Sequence, residues 1–240
     1  MLLVEKYRPR EFQDVVGLPQ EIAPLLDDLP HLLFIGKPGT GKTTTAKIIV
    51  NKLGCDCLTL NASDERGIQT IRDKVKSFAM TQSTNGKYKV VFLDEADFLT
   101  GEAQTSLRNM METYHNNVRF ILTGNYENKI IDPLKSRLKL FRFEALDVVA
   151  IVGYLAKICV LEEIETETGV LQRLVEVNKN DIRRYINQLQ IWASSKRLIT
   201  MKDVKEDNIL PQEIHGLLKS GSFVSARQKL LDSNIEYDAF

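Results

Sequence analysis

The stretch HLLFIGKPGTGKTTTAK, residues 31–47, decides the fold. Its centre, Gly36-Lys37-Pro38-Gly39-Thr40-Gly41-Lys42-Thr43, satisfies the pattern GxxxxGK[ST] with nothing missing. The apolar run LLFI before it reads as a buried strand, and TTAKIIVNKL after it reads as a helix. Glycines at these spacings let the backbone wrap closely around a polyphosphate. Successive N–H groups and the start of the helix then face the negative charge. Lys42 is placed to reach the β- and γ-phosphates, Thr43 to ligate Mg²⁺, and the run from Gly36 to Thr44 to cradle ATP.

A second acidic element lies about fifty residues downstream, in Val90-Val91-Phe92-Leu93-Asp94-Glu95-Ala96-Asp97. Asp94, ending a buried strand, is positioned for Mg²⁺, often through water. Alternation along an extended chain points Glu95 elsewhere, as the base or water-orienting group for attack on the γ-phosphate. A guanine-reading NKxD is not met, because Asp132 falls one position too far from Asn128-Lys129. A small-molecule kinase has no need of the carboxylate that Glu95 supplies.

Working outward, short apolar runs alternate with helical patterns. Strands are expected at Leu32–Ile35, Cys57–Leu60, Tyr88–Leu93, Val118–Thr123 and Leu138–Phe143. VVFL and RFIL are nearly continuous apolar, as strands buried on both faces of a parallel sheet require. In Gly101–Tyr114, Ala103, Leu107, Met110, Met111 and Tyr114 recur at helical spacing. The pattern is that of an α/β class P-loop domain with a parallel sheet, over residues 1–143. From Leu146 strand signals fade, and helices are expected over Leu146–Leu161, Thr168–Val177 and Asp181–Ser195, forming a small all-helical domain over 144–206 with Trp192 in its core.

The 240 residues carry 43% hydrophobic and 27% charged side chains, an ordinary globular balance, and a formal net charge of zero. Nucleic-acid contact therefore depends on a local basic cluster. Three cysteines, Cys55, Cys57 and Cys159, make neither a disulfide framework nor a zinc site. No apolar run approaches membrane-spanning length, and MLLVEKYRPREF lacks the long apolar region of a signal peptide. A soluble intracellular protein, cytoplasmic or nuclear, is expected. His31 and His115, bordering strands, read as structural, and Glu162–Glu167 (EEIETE) as a solvated surface segment.

With these elements in place, residues 1–205 resemble a small subunit of replication factor C, the clamp loader of the AAA+ superfamily. Glu5-Lys6-Tyr7-Arg8-Pro9 with Asp14-Val15-Val16-Gly17 resembles the family's adenine-side box, implying base contacts from Val4, Tyr7, Arg8, Val15 and Val16. Asn61-Ala62-Ser63-Asp64-Glu65-Arg66-Gly67-Ile68 is similar to a segment nearly diagnostic of clamp loaders. Asn125, in Thr123-Gly124-Asn125-Tyr126, takes the place of a polar sensor of the attacking water or γ-phosphate. Ser136-Arg137-Leu138 stands where the family has Ser-Arg-Cys; the resemblance implies that Arg137 acts on a neighbouring subunit's ATP, while Leu138 departs from the pattern. Asn180–Asn187 resembles the family's second-sensor helix, with Arg183 on the chain's own γ-phosphate and Asp181 as N-cap.

The resemblance further implies primer–template DNA contacts through Arg66, Arg72, Lys74 and Lys76, unless these form an ordinary solvated face, and sliding-clamp contacts through Phe78 and Met80, unless these are core residues. Other clamp loader subunits, in a hetero- or homo-oligomer, are implied partners; a membrane is not. Residues 207–240 resemble the opening of a helical collar domain that then stops. The implied function is an ATPase subunit that opens a sliding clamp and places it on primer–template DNA. The alternatives are another AAA+ DNA motor, such as a branch-migration helicase or initiator, and a scaffold that has lost hydrolysis.

Overall fold

Five strands form one parallel sheet: β1 (Leu32–Gly36), β2 (Cys57–Asn61), β3 (Lys89–Asp94), β4 (Val118–Gly124) and β5 (Lys139–Phe143), in the order β2-β3-β4-β1-β5. The computed structural model of the chain describes residues 1–64, 68–83, 89–177, 181–195 and 197–204, with Lys219, Phe223 and Ser225. Arg66 and nearly all of the 207–240 segment lie outside the described residues.

Alternation of side chains explains why the strands read as unbroken apolar runs. Leu33, Ile35, Val91, Leu93, Phe120 and Leu122 pack on one face, against α3 (Ile68–Met80), α4 (Gly101–Tyr114) and α5 (Asp132–Lys135). Leu32, Phe34, Val90, Phe92 and Ile121 pack on the other, with Ala46 and Ile49 of α2 (Lys42–Leu53). Both faces are covered, so neither shows a polar alternation. β1 lies between β4 and β5, with Leu32 opposite Ile121 on one side and Lys139 on the other. The loop after β1 therefore opens at the C-terminal edge of the sheet, where open α/β sheets bind ligands. Thr100 starts α4 by accepting a hydrogen bond from the Ala103 N–H at 3.2 Å.

The small all-helical domain, a lid beside the sheet, is built from α6 (Val148–Leu161), α7 (Val170–Val177) and α8 (Ile182–Ser195) around Ile151, Leu155, Ile158, Leu174, Tyr185, Ile186, Leu189 and Trp192. The first helix, α1 (Leu3–Lys6), belongs to this core although it precedes the sheet in the chain. Leu3 is buried there, and its N–H donates to Gln190 Oε1 at 2.7 Å. The Tyr154 hydroxyl donates to the Tyr7 carbonyl at 2.6 Å, while Glu162 accepts from Lys6 Nζ at 2.5 Å and from the Tyr7 hydroxyl. EEIETE is thus not a solvated segment throughout. Ile164 is buried, Thr166 bridges to Ile199, and Glu162 anchors the chain's beginning.

Candidate active site

The loop 36–43 closes on its own lysine. Lys42 Nζ, largely buried, donates to the carbonyls of Gly36 (2.6 Å) and Lys37 (2.8 Å) and to Asn125 Oδ1 (3.1 Å). Burial pushes the ammonium down to about 8, against the pull of Asp94 and Asp97 and with Arg183 adding repulsion. A bound polyphosphate restores the charge, so binding above pH 8 takes up a proton. ADP affinity is therefore expected to fall roughly tenfold from pH 7 to pH 9, an effect that calorimetric titration in buffers of different ionisation enthalpy reads directly. Equal affinity at the two pH values would contradict this.

Thr43 Oγ1 lies 3.0 and 3.1 Å from the two carboxylate oxygens of Asp94. Mg²⁺ holds oxygens at about 2.1 Å in an octahedron, whose edge is about 3.0 Å. The two side chains are hard oxygen donors at that separation, so they fit the ion. The Thr123 hydroxyl, ending β4, donates to Asp94 Oδ1 and accepts from the Glu95 N–H at 3.1 Å. Asp94 is thereby fixed from two sides.

Glu95 departs from the strand-alternation expectation. Its φ of 57° and ψ of 40° put it in the left-handed region, at the start of a 3₁₀ turn over Ala96–Phe98. The divergence of Asp94 and Glu95 thus comes from a turn, held in a conformation that costs a non-glycine residue energy and recurs at functional sites. Asp97 follows, only 4% exposed, with neither carboxylate oxygen hydrogen-bonded among the described residues.

Lys42, Thr43, Asp94, Glu95, Thr123 and Asn125 line a cleft of about 460 Å³ between sheet and lid, within the usual range for small-molecule sites. Val4, Tyr7, Arg8, Val15 and Val16 form its wall on the side of the chain's beginning, Pro38 to Thr44 its floor, and Asp94, Glu95, Asn125 and Arg183 its far end. Gly36 and Lys37 act one step back, through their carbonyls on Lys42. Asp181 caps α8, its Oδ1 accepting from the Arg183 N–H at 3.0 Å and the Arg184 N–H at 3.4 Å. Asp14, Lys47, Thr123, Tyr154, Ile182 and Ile186, to which sequence reasoning assigned no individual contact, also line the cleft. Burial raises the Tyr154 hydroxyl to about 12, keeping it a donor to Tyr7.

The remaining candidates are elsewhere. Arg137 does not line the cleft; its guanidinium pairs with Glu112 on the outside of α4. Arg72 and Lys76, one helical turn apart, line a groove of about 910 Å³ between α3 and α4, whereas Lys74 is exposed outside it. Phe78 and Met80 part company. Phe78 is half-buried against the sheet's core, with Lys89 Nζ 4.9 Å from its ring centre and bonded to its carbonyl at 2.8 Å. Met80 is 68% exposed.

Residues 32–145 match the family model "ATPase family associated with various cellular activities (AAA)", and residues 148–206 match "RFC1-like, AAA+ ATPase lid domain". The replication factor C small subunit of Halobacterium salinarum is 42% identical, over 95% of this chain and 76% of that one. That of Sulfurisphaera tokodaii is 43% identical, over 99% and 77%. The chain belongs to the replication factor C small subunit family. It is a nucleotide-binding AAA ATPase with an RFC1-like lid. A solved structure of a RuvB variant from Thermotoga maritima superposes with a TM-score of 0.69 over 92% of this chain and 81% of that one; at 16% identity the likeness is one of fold alone. No helix among the described residues is long and apolar enough to cross a membrane.

Proposed function

We propose that this replication factor C subunit uses ATP binding and hydrolysis to open a sliding clamp and place it on primer–template DNA, with each active site completed by a neighbouring subunit. One observation carries the shared site. The cleft gathers Lys42, Thr43, Asp94, Glu95, Asn125 and Arg183 from one chain, while Arg137 is held outside it, on the surface of α4 and α5. In this reading the exposed Arg137 serves the site of a neighbouring chain.

Lys42 and Arg183 neutralise the polyphosphate, and Asn125, bonded to Lys42, fixes the geometry at its γ end. Glu95 orients water for attack there. Thr43 and Asp94 would hold Mg²⁺, which supplies charge neutralisation on the β- and γ-oxygens when bound. Arg72 and Lys76 sit suitably for DNA phosphates, contacts that position a duplex without reading its sequence. Exposed Met80 is the apolar side chain that the end of α3 offers to a clamp.

The test is ATP turnover by the chain assembled with its subunits, with and without a clamp and primed DNA. Both additions are expected to stimulate, and Arg137→Ala to leave ATP binding intact while lowering stimulated turnover at least tenfold. Equal stimulated turnover in variant and wild type would rule out completion of the site in trans. A wild type indifferent to clamp and DNA would rule out the loader reading.

A further inference from the structure

Arg137 is not merely exposed. Its Nε donates to Oε1 of Glu112 at 2.6 Å, its Nη2 forms an ion pair with the same oxygen, and Nη1 lies 3.3 Å from Ser136 Oγ. Glu112 is in the last turn of α4, and Arg108, one turn earlier, places its Nε 3.4 Å from the same oxygen. The Arg137 hydrogen bond, with the charges of both arginines, holds the Glu112 carboxyl below the usual range. It is therefore a full anion at neutral pH.

Helix and fold stability draw little from this carboxylate. A negative charge near a helix C-terminus opposes the helix dipole. The pair is also open to solvent, with side chains 38% and 42% exposed, where an ion pair adds little to folding. What the contact does define is the direction of the guanidinium. A free arginine side chain samples many rotamers and loses that freedom on meeting a ligand. Here the fork is gripped along its Nε/Nη2 side. A guanidinium has five N–H donors. Glu112 holds the Nε/Nη2 side and Ser136 takes one donor of Nη1, which leaves N–H donors on both Nη1 and Nη2 for a phosphate.

We infer that Glu112 is a positioning residue for Arg137: it aims the guanidinium at the γ-phosphate of ATP on the adjoining subunit while leaving the phosphate-binding end of the fork free. This rests on the reading of Arg137 as acting in trans. Glu112 does not line the cleft of its own chain, so its effect on the rate is carried by Arg137.

The experiment compares wild type, Glu112→Gln, Arg137→Ala and the double variant in the assembled loader, with clamp and primed DNA present. It reads kcat and KM for ATP, the melting temperature, and the mass of the assembly by light scattering. Glu112→Gln is expected to lower kcat roughly tenfold with KM within about twofold, since misaimed but chemically intact groups lose rate rather than binding. The double variant should be no slower than Arg137→Ala, and melting temperature and mass should be unchanged. Normal turnover in Glu112→Gln beside a slow Arg137→Ala would overturn the positioning role and leave the shared site standing. Multiplying effects in the double variant, or a kcat loss that tracks lower melting temperature or lost assembly, would also overturn it. Normal turnover in Arg137→Ala would remove the shared-site reading, and this inference with it.

Discussion

Glu95→Gln is expected to lower ATP turnover by roughly 10²- to 10³-fold while nucleotide affinity stays within about threefold. Glutamine keeps the volume and shape of the side chain, and the left-handed backbone at φ 57° is set by the turn rather than by the carboxylate. The Glu95 N–H still donates to Thr123, so Asp94 keeps its hydroxyl partner. Only the capacity to draw a proton from water is lost. Single-turnover hydrolysis beside equilibrium ADP binding separates the two quantities. Turnover within threefold of wild type would remove Glu95 from the chemistry.

The second large effect concerns the contact between loop and lid. Gly39 has φ 78°, and a Cβ there would stand 2.1 Å from Asp181 Oδ1 and 2.7 Å from its Cγ. Gly39→Ala therefore meets two penalties. The left-handed conformation costs an L-residue about 1–2 kcal/mol, and the methyl displaces the carboxylate that caps α8 just ahead of Arg183. Nucleotide affinity is expected to fall at least thirtyfold, about 2 kcal/mol. Titration with ADP provides the measurement; affinity within twofold of wild type would mean that the approach of Asp181 to the loop plays no part in binding.

What was legible in the sequence was what is local. GKPGTGKT, VVFLDEAD and their flanking apolar runs are contiguous, so the sheet, the loop and the Thr43–Asp94 pairing follow from short windows. Helix α4 has the expected bounds because Thr100 caps it and its apolar residues keep one phase. The Glu95 conformation was not legible, since a left-handed glutamate at a strand's end contradicts local preference and is held by a turn against β4. Contacts across 147 and 155 positions, Tyr154 with Tyr7 and Tyr7 with Glu162, leave no periodic trace. For the same reason EEIETE read as solvated, its charges visible and its inward turn at Ile164 not. Thr123 was quoted with its strand but given no task, because only the packed sheet brings its hydroxyl to Asp94.

The attachment of α1 to the lid has a mechanical consequence. Val4 and Tyr7 line the cleft, yet they are fastened to α6 and α8 through Tyr154, Glu162 and Gln190. Val4 and Tyr7 are thus joined to the helices that carry Arg183, whereas Lys42 and Asp94 belong to the sheet and its loop. A ligand held by both acts as a hinge pin, setting the angle between two levers.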